Sequence, residues 1–595
     1  MTRVPRLAAA VALALAVATG ARAATIPPAP PDLTRLDPRL WSSALSGSPD
    51  TVAVMVRFAD KGEAGPADLA ARLAAAQATL DPHARARRLR SHVTPLVDYL
   101  DLPVHAPYVE ALRARGFAPA GASRWLNAAV VRVPGARLAE LTRLAFVAAV
   151  EHVPHVRLSR DPAAPAPAPP APRAGEARLE QAASVGYGQT IGPLKQLDVP
   201  AVHDSGYIGT GVRVAVLDDG FNRYRTHDAL KTITVLGTRD FVDGDANVTD
   251  TTQTTAFVYT HGSATLGCAG GNKPGVYVGS GYGASFLLAR TENDFSEQGI
   301  EMVFWGEGAE WADSAGADII TSSLGYTTFD NPDTDATYAD MDGHTTIVSR
   351  AAEIAASKGI LVVNSAGNDN GYWRGMVAPA DVNGDSLIAA AAVDTNGVVT
   401  GFSSRGPTPD GRTKPDFAAR GLNVPIVAAW AGTQAYTTAS GTSFSAPLLA
   451  GLCACLMQAR PAWTPQQLIF ALRNSASRAG NPDTLIGFGV PSGLKALQSD
   501  TVNVPGGLGP FGFELLGPNP FSTEVRLRLA PGEAATARVR VLDLQGRTVR
   551  TLAPGSDGIV RWDGSTGAGR AHPGVYFVRL DAGGRHATAR VVLVR

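Results

Sequence analysis

The stretch VAVLDDG, residues 214–220, is a short apolar run that ends in two carboxylates and a glycine. A run of this length bounded by a turn signal is typical of a strand that is buried on both faces. Similar runs recur and alternate with helix-like segments: strands are predicted over 212–217, 286–289, 319–323, 360–364 and 387–393, and helices over 295–315 and 346–357. The alternation predicts an α/β fold with a doubly wound parallel sheet, whose functional residues lie beyond the carboxyl ends of the strands.

Four polar motifs lie at the ends of predicted elements in this region. They are Asp218 after the first strand, HGS at 261–263 before an apolar helix, AGN at 366–368 after another strand, and GTSFSAP at 441–447 before a long helix. Because the carboxyl ends of parallel strands meet at one edge of a sheet, we expect these motifs to lie close together. An aspartate, a histidine, an asparagine amide and a serine at one edge are the groups that acyl transfer requires.

Each of these side chains has a role in such a reaction. Ser443 at a helix start is the candidate nucleophile, and His261 is the candidate base that accepts its proton and later protonates the leaving amine. Asp218 would fix the tautomer of the imidazole and stabilise the imidazolium. The Asn368 amide and the Ser443 backbone N–H are candidate donors to the oxyanion of the tetrahedral intermediate. Asp219 remains a second candidate for the partner of the histidine, since adjacent residues of a strand face opposite sides.

The order Asp, His, Ser and the motifs HGS, AGN and GTSFSAP resemble the subtilases, the subtilisin-like serine endopeptidases. The resemblance extends to FSSRGP at 402–407, DGRTKPD at 410–416 and GFGVPSG at 487–493. It implies a subtilisin-like peptidase that acts on protein or peptide substrates through an acyl-enzyme and requires no cofactor for the chemistry.

Carried over to this chain, the resemblance implies a set of site residues. It assigns the triad to Asp218, His261 and Ser443, and the oxyanion donor to Asn368. It also implies that substrate binds along two segments, which are made of Ser323, Leu324 and Gly325 and of Ser365, Ala366 and Gly367.

Two competing functions come from other classes. A non-catalytic secreted binding protein would use an inactivated copy of the same scaffold, but inactive copies commonly lose a triad or oxyanion residue, and here all four are present. An esterase on another α/β fold is disfavoured, because its serine lies in G-x-S-x-G and its triad follows the order Ser, Asp, His. Labelling by a fluorophosphonate probe distinguishes the first alternative from a protease.

Composition and the N-terminus indicate where the protein acts. The chain has 595 residues with 53 Lys+Arg and 53 Asp+Glu, and this balance gives no reason to expect a nucleic-acid partner. Arg3 and Arg6 precede an apolar run over 7–17, and small residues follow at 21–23. The pattern predicts a signal peptide over 1–23 and a secreted protein, outside the cell or at its surface. No run of 18 apolar residues follows, so no transmembrane anchor is predicted.

Three further segments flank the predicted peptidase unit, which spans 183–502. Residues 50–158 show both strand and helix patterns, and one long helix is expected within 66–100. The segment resembles the inhibitory propeptide of subtilases. An ordinary accessory α+β domain is the alternative interpretation. A linker rich in Pro and Ala spans 159–182. Residues 511–595 show short alternating strands typical of a β-sandwich and resemble sorting modules of secreted bacterial proteins, so a role with the secretion machinery and a plain accessory role are both open.

The sequence gives weaker evidence about metal ligands and about the state of the cysteines. Family members often bind stabilising calcium, so a structural calcium is open here, and two aspartate-rich stretches, 330–342 and 381–385, carry oxygen ligands. Neither has the spacing of a 12-residue calcium loop, so we expect solvated loops and assign no metal ligand. Cys268, Cys453 and Cys455 are too few for a disulfide framework and are predicted to be buried core residues.

Overall fold

The chain folds into three successive units. The computed structural model describes residues 32–153, 185–249, 259–293, 298–327, 336–368, 375–385, 387–499, 513–515, 521–529, 538–543, 546–555, 558–567, 569–582 and 585–594. The predicted signal peptide (1–23) and the Pro/Ala-rich linker (159–182) lie outside the described residues, as does the first part of the aspartate-rich stretch 330–342.

The N-terminal unit is a four-stranded antiparallel sheet with helices packed against it. Its strands are β1 (Thr51–Phe58), β2 (Pro119–Ser123), β3 (Ala128–Pro134) and β4 (Val147–Val153), in the order β2-β3-β1-β4. Its helices are α1 (Trp41–Ser46), α2 (Pro66–Ala78), α3 (Pro82–Arg90), α4 (Ala106–Arg113) and α5 (Leu138–Thr142). The expectation of one long helix within 66–100 is wrong, because the Asp81 carboxylate accepts backbone hydrogen bonds from His83 and Ala84 and so caps a new helix at Pro82.

The middle unit is built on a seven-stranded parallel sheet with the order β13-β12-β11-β10-β5-β9-β6. Its strands are β5 (Arg213–Asp218), β6 (Thr234–Asp240), β7 (Asn272–Lys273), β8 (Tyr277–Val278), β9 (Ser285–Arg290), β10 (Ile319–Ser322), β11 (Leu361–Ser365), β12 (Leu387–Val393), β13 (Phe417–Arg420), β14 (Val424–Val427) and β15 (Tyr436–Ala439). Its helices are α6 (Ile191–Gln196), α7 (Val199–Asp204), α8 (His261–Gly270), α9 (Glu301–Ser314), α10 (Ile347–Ser357), α11 (Thr442–Ala459), α12 (Pro465–Ser475) and α13 (Gly493–Leu497).

Helices cover this sheet on both faces. Alternate residues of β5 enter two different apolar clusters: Val214 and Val216 pack with α8 and α11, whereas Ala215 and Leu217 pack with α9 and α10. This is the doubly wound arrangement that the continuous apolar strands predict, so the predicted fold class is confirmed. The helix predicted over 295–315 begins only at Glu301, whose carboxylate accepts the backbone N–H of Gln298 at 2.9 Å.

The central helix α11 is long and apolar enough to cross a membrane. Its mean hydropathy over 18 residues is 1.4, but 89% of it is buried inside the protein.

Cys453 and Cys455 lie on this helix and Cys268 on α8; all three are buried and unpaired, as predicted. Burial raises the pKa of each thiol, to about 12 for Cys268.

The C-terminal unit consists of two antiparallel sheets that share one apolar core. Its strands are β16 (Phe513–Leu515), β17 (Val525–Leu529), β18 (Arg538–Leu542), β19 (Thr548–Leu552), β20 (Ile559–Trp562), β21 (Gly574–Ala582) and β22 (Arg585–Leu593), paired in the orders β16-β17-β20 and β19-β18-β21-β22. Val575 and Val592 pack into the cluster that contains α10, and Arg579 Nη1 lies 3.2 Å from His344 Nε2. The unit therefore lies against the middle unit rather than apart from it.

Two buried arginines of α3 attach the N-terminal unit to the middle unit. The Arg87 guanidinium pairs with Asp313 and donates to the backbone carbonyls of Ala317 and Lys358, which precede β10 and β11. Arg88 Nη2 lies 2.7 Å from the other oxygen of Asp313. Because these contacts are at the amino ends of the strands, they lie at the edge of the sheet opposite to that expected for the catalytic residues.

A second contact joins the edge of the N-terminal sheet to α9. The Glu310 carboxylate accepts hydrogen bonds from Ser123 Oγ at 2.5 Å and from the backbone N–H groups of Arg124 and Trp125 at 3.1 and 3.0 Å. The neighbouring Glu307 faces the backbone of β2 from the same side of α9. The two glutamates thus present acceptors to backbone donors of the N-terminal unit.

Candidate active site

His261 is the first residue of α8 and lies beside the end of β5. Its Nδ1 is 2.7 Å from Oδ1 of Asp218, the last residue of that strand. Asp218 is fully buried, and its other oxygen accepts a hydrogen bond from Thr265 Oγ1 at 2.9 Å. The carboxylate favours the tautomer with the proton on Nδ1, which leaves the lone pair on Nε2. The imidazole side chain is 36% exposed and is therefore accessible to a substrate.

Asp219 contacts the backbone that carries the histidine. Its carboxylate accepts hydrogen bonds from the N–H groups of His261 at 3.2 Å and Gly262 at 2.8 Å. A carboxylate here stabilises the start of α8, because the first N–H groups of a helix lack partners within the helix. The contact with imidazole Nδ1 thus belongs to Asp218, whereas Asp219 holds the helix start in place.

Ser443 is the second residue of α11, so its hydroxyl lies at the positive end of an 18-residue helix. Its Oγ lies 3.5 Å from the Ser323 carbonyl oxygen, and Ser323 Oγ donates to the Ser443 carbonyl at 2.7 Å. The ring of the next residue, Phe444, has its centroid 6.1 Å from that of the His261 ring. The fold therefore brings the predicted serine, histidine and aspartate to the same edge of the sheet.

Asn368 follows β11 and contacts the start of α11. Its Oδ1 accepts hydrogen bonds from the backbone N–H and the hydroxyl of Thr442, both at 2.9 Å, which fixes the orientation of the amide. A Cβ atom placed on Gly441 would lie 3.6 Å from Asn368 Nδ2 and 3.7 Å from Ser443 N. Both N–H donors therefore border the same small volume, as the predicted oxyanion role requires.

The two predicted substrate-binding segments also lie beside the start of α11. Ser323, Leu324 and Gly325 follow β10, whereas Ser365 is the last residue of β11 and Ala366 and Gly367 follow it. Gly367 N donates to Thr442 Oγ1 at 3.2 Å. Asn364 Nδ2 donates to the carbonyls of Leu324 at 3.0 Å and Ser365 at 2.9 Å and so connects the two segments.

Two regions of the chain match known families. Residues 209–489 match the Subtilase family. The chain carries a subtilase peptidase domain. Residues 53–166 match the peptidase S8 propeptide domain of Bacteroidota. The predicted family is thus confirmed, and the protein is a serine protease that is made as a zymogen.

Relatives of this subtilase include bacterial proteases. Subtilisin E of Bacillus subtilis (strain 168) is 28% identical over 302 residues, which are 51% of this chain and 68% of the relative. The thermostable alkaline protease of Halalkalibacterium halodurans is 28% identical over 323 residues, which are 54% of this chain and 77% of the relative. A solved protease structure from Pseudoalteromonas arctica is 22% identical with a TM-score of 0.42, covering 54% of this chain and 100% of that chain. The family and these relatives confirm the predicted enzyme class, serine endopeptidase.

Two residues of the subtilase domain have supporting roles that the sequence did not predict, although Asp219 was a second candidate for the partner of the histidine. Thr265 donates to the Asp218 carboxylate, and the Asp219 carboxylate accepts from N–H groups at the start of α8. Thr265 lies four residues after His261 on the same helix, so helical spacing alone places both on one face. No comparable signal assigns Asp219, because its partners are backbone groups that come close only in the folded chain.

Two groups of acidic residues in the subtilase domain are candidates for metal binding: the cluster around His261 and the stretch 381–385. Ligand atoms of Asp218, Asp219 and His261 lie within 4.8 Å of one another. Their carboxylate oxygens already accept hydrogen bonds from N–H and O–H donors of the protein, which favours a hydrogen-bonded carboxylate–histidine pair. In the stretch 381–385, Asp381 is fully buried and accepts from Ser349 Oγ at 2.6 Å, so the expectation of a solvated loop is wrong for this residue.

Replacing Asn368 with alanine is expected to lower kcat by about 10²–10³-fold with little change in KM, the effect of losing one oxyanion donor. Asn368→Asp keeps the acceptor that Thr442 uses and removes the donor, so we expect a loss of similar size. Steady-state kinetics on one peptide substrate measure both constants. A change confined to KM would show that Asn368 binds ground-state substrate instead.

Proposed function

We propose that this protein is a secreted, self-processing endopeptidase that hydrolyses peptide bonds through an acyl-enzyme on Ser443. The observation that carries the proposal is the 2.7 Å contact between Asp218 and His261 at the edge of the sheet where α11 begins with Ser443. The substrates are proteins or peptides, and the propeptide acts as the inhibitor of the same site.

Each of these residues has its own role in the proposed reaction. His261 Nε2 takes the proton as Ser443 Oγ attacks the scissile carbonyl, and Asp218 stabilises the resulting imidazolium. Asn368 Nδ2 and the Ser443 N–H receive the oxyanion of the tetrahedral intermediate. The imidazolium then protonates the leaving amine, which gives the acyl-enzyme. Water, deprotonated by the same imidazole, releases the acyl group and restores the hydroxyl.

A fluorophosphonate probe tests this proposal, because it phosphonylates an activated serine. We expect labelling of the processed protein at Ser443, located by peptide mass spectrometry, and none in a His261→Ala variant. Failure of the processed protein to label would favour the alternative of a binding protein on an inactivated scaffold.

Secretion is part of the proposal and is supported by the signal-peptide pattern over 1–23. Expression of the full chain in a bacterial host should deliver the protein outside the cytoplasm, with residues 1–23 removed. The C-terminal unit (511–595) is proposed to act with the secretion machinery. Its deletion should then retain the protease inside the cell envelope without lowering kcat, whereas an accessory role predicts normal export.

Maturation is expected to cut the chain between about residues 158 and 185, because the sequence predicts an extended Pro/Ala-rich linker there, between two folded units. The described residues of the N-terminal unit end at Val153, and those of the middle unit begin at Val185. N-terminal sequencing of the active enzyme locates the cut. Active enzyme that still begins near Thr25 would contradict the prediction.

Release of the propeptide is expected to become easier as the pH rises from about 5 to 8. Burial and the neighbouring Glu310 raise the pKa of Glu307 to about 8 in the complex, against an ordinary value of 4.5; Arg239 opposes this shift. The complex therefore holds a proton that is lost on release, and binding of the cleaved propeptide weakens by up to about tenfold per pH unit in this range.

The fraction of cleaved propeptide that co-purifies with the protease at each pH measures this effect. Glu307→Gln is the matched control, because it keeps the size of the side chain and removes its titration. Its binding should vary less with pH, and an unchanged pH slope in this variant would assign the effect to other groups.

A further inference from the structure

The two substrate-binding segments face a common side chain, that of Val377. A Cβ placed on Gly325 would lie 2.5 Å from Val377 Cγ2, and one placed on Gly367 would lie 2.6 Å from Val377 Cγ1. Each glycine therefore leaves room for this valine and for little else. Val377 is 2% exposed, and its backbone N–H donates to the Ala366 carbonyl at 3.3 Å. Its isopropyl group is held between the two segments.

The space between these segments lies next to the proposed nucleophile. Ser443 Oγ is 3.5 Å from the Ser323 carbonyl, two residues before Gly325. Gly367 N donates to Thr442 Oγ1, one residue before Ser443. In an acyl-transfer reaction, the side chain next to the attacked carbonyl (P1, the residue on the amino side of the scissile bond) must enter a space adjoining the nucleophile. The gap between Gly325 and Gly367 is therefore the place for the P1 side chain.

The size of Val377 decides how much of this gap remains. Its two methyl groups fill the space that side chains at residues 325 and 367 would otherwise occupy. Ser404 Oγ lies 2.7 Å from the Cβ position of Gly367 and borders the gap on another side. The backbone of Val377 is held to Ala366 by a hydrogen bond, and packed interiors resist the insertion of extra carbons. A glycine or alanine at residue 377 would leave a deeper pocket.

We propose that Val377 forms the base of the P1 pocket and restricts the P1 residue of substrates to small side chains such as alanine. This inference rests on the proposed function of Ser443 and adds the class of substrate. Aromatic and long aliphatic P1 residues would require the valine and both glycines to separate.

The test compares peptide substrates that differ only at P1, with alanine, leucine or phenylalanine there. For the processed wild-type enzyme, kcat/KM for alanine should exceed that for phenylalanine by at least about tenfold. Val377→Ala and Val377→Gly should raise the phenylalanine-to-alanine ratio by at least about tenfold, with the larger rise for glycine. Because the readout is a ratio on one preparation, partial unfolding of a variant does not change it.

Val382→Ala is the matched control, since it truncates another buried valine five residues away and should leave the ratio unchanged. A wild-type preference for phenylalanine, or hydrolysis by the Val377 variants with an unchanged ratio, would overturn the inference while the proposed catalytic site stands. Absence of hydrolysis of every peptide and of casein by the processed wild-type enzyme would instead overturn the proposed function, and this inference with it.

Discussion

Replacing Ser443 with alanine is expected to reduce peptide hydrolysis by about 10⁶-fold, the order of magnitude that loss of a catalytic serine costs in enzymes of this type. The substitution removes the hydroxyl that forms the acyl-enzyme, and the remaining oxyanion donors support only residual catalysis. Cleavage of the linker uses the same site, so the purified variant should keep the N-terminal unit covalently attached. Gel electrophoresis, hydrolysis of casein and fluorophosphonate labelling measure the three consequences.

The fold of this variant should be intact, because among the described residues Ser443 Oγ makes only a long contact, to the Ser323 carbonyl at 3.5 Å. We expect the free energy of unfolding to change by about 1 kcal/mol or less. Ser445→Ala is the matched control: this serine is buried two residues further along α11 and donates to the Ala419 carbonyl at 3.1 Å. It should process and hydrolyse normally. A Ser443→Ala protein that still processes itself in a host without other proteases would place the nucleophile elsewhere.

Replacing Asp313 with alanine is expected to destabilise the zymogen by about 3–5 kcal/mol, because it leaves the buried Arg87 guanidinium without its carboxylate partner. Arg88, which also contacts Asp313, keeps its ion pair with Asp101. Arg87 and Asp313 have side chains that are 0% and 1% exposed, and Arg88 is equally buried. Removing one partner of a buried ion pair costs more than the pair contributes, since the remaining charge keeps its desolvation penalty. Equilibrium denaturation in the Ser443→Ala background, where the chain stays uncut, measures the loss.

The exposed pair of Arg113 and Glu110 provides the control, with side chains that are 53% and 65% exposed. Arg113→Ala should change the free energy of unfolding by less than about 1 kcal/mol, because solvent screens such pairs. Asp313→Asn keeps the shape of the side chain and tests whether the charge carries the effect. Equal stability of the Asp313 and Arg113 variants would show that the arginine contacts do not hold the two units together.

The sequence was sufficient to predict those features that depend on residues close together in the chain. The apolar strand before Asp218, its alternation with helices and the motifs around His261 and Ser443 are local patterns, and they predicted the parallel sheet and the edge at which these residues meet. The family resemblance supported the oxyanion assignment, which the chemistry had already indicated, and added the substrate-binding assignments. These site assignments remain predictions until the variants are measured.

Features that arise from contacts between distant segments were not predictable in the same way. Asp219 binds backbone N–H groups more than 40 residues away, and Arg87 pairs with Asp313 across two folded units. In both cases the sequence shows only an ordinary charged residue, and its partner is fixed by tertiary packing. The break at Pro82 is different: an aspartate followed by proline is a local signal for a new helix, and it was outweighed by the run of helix-forming residues around it.

The buried cysteines have a practical consequence for handling the protein. Cys268, Cys453 and Cys455 are unpaired inside the core, and their raised pKa values keep the reactive thiolate form scarce. Reducing agents therefore have no bond to break, and production does not require an oxidising compartment or a disulfide isomerase. A single cysteine introduced on an exposed loop would be the only readily modified thiol of the folded enzyme, which permits attachment of a dye or a solid support at one chosen point.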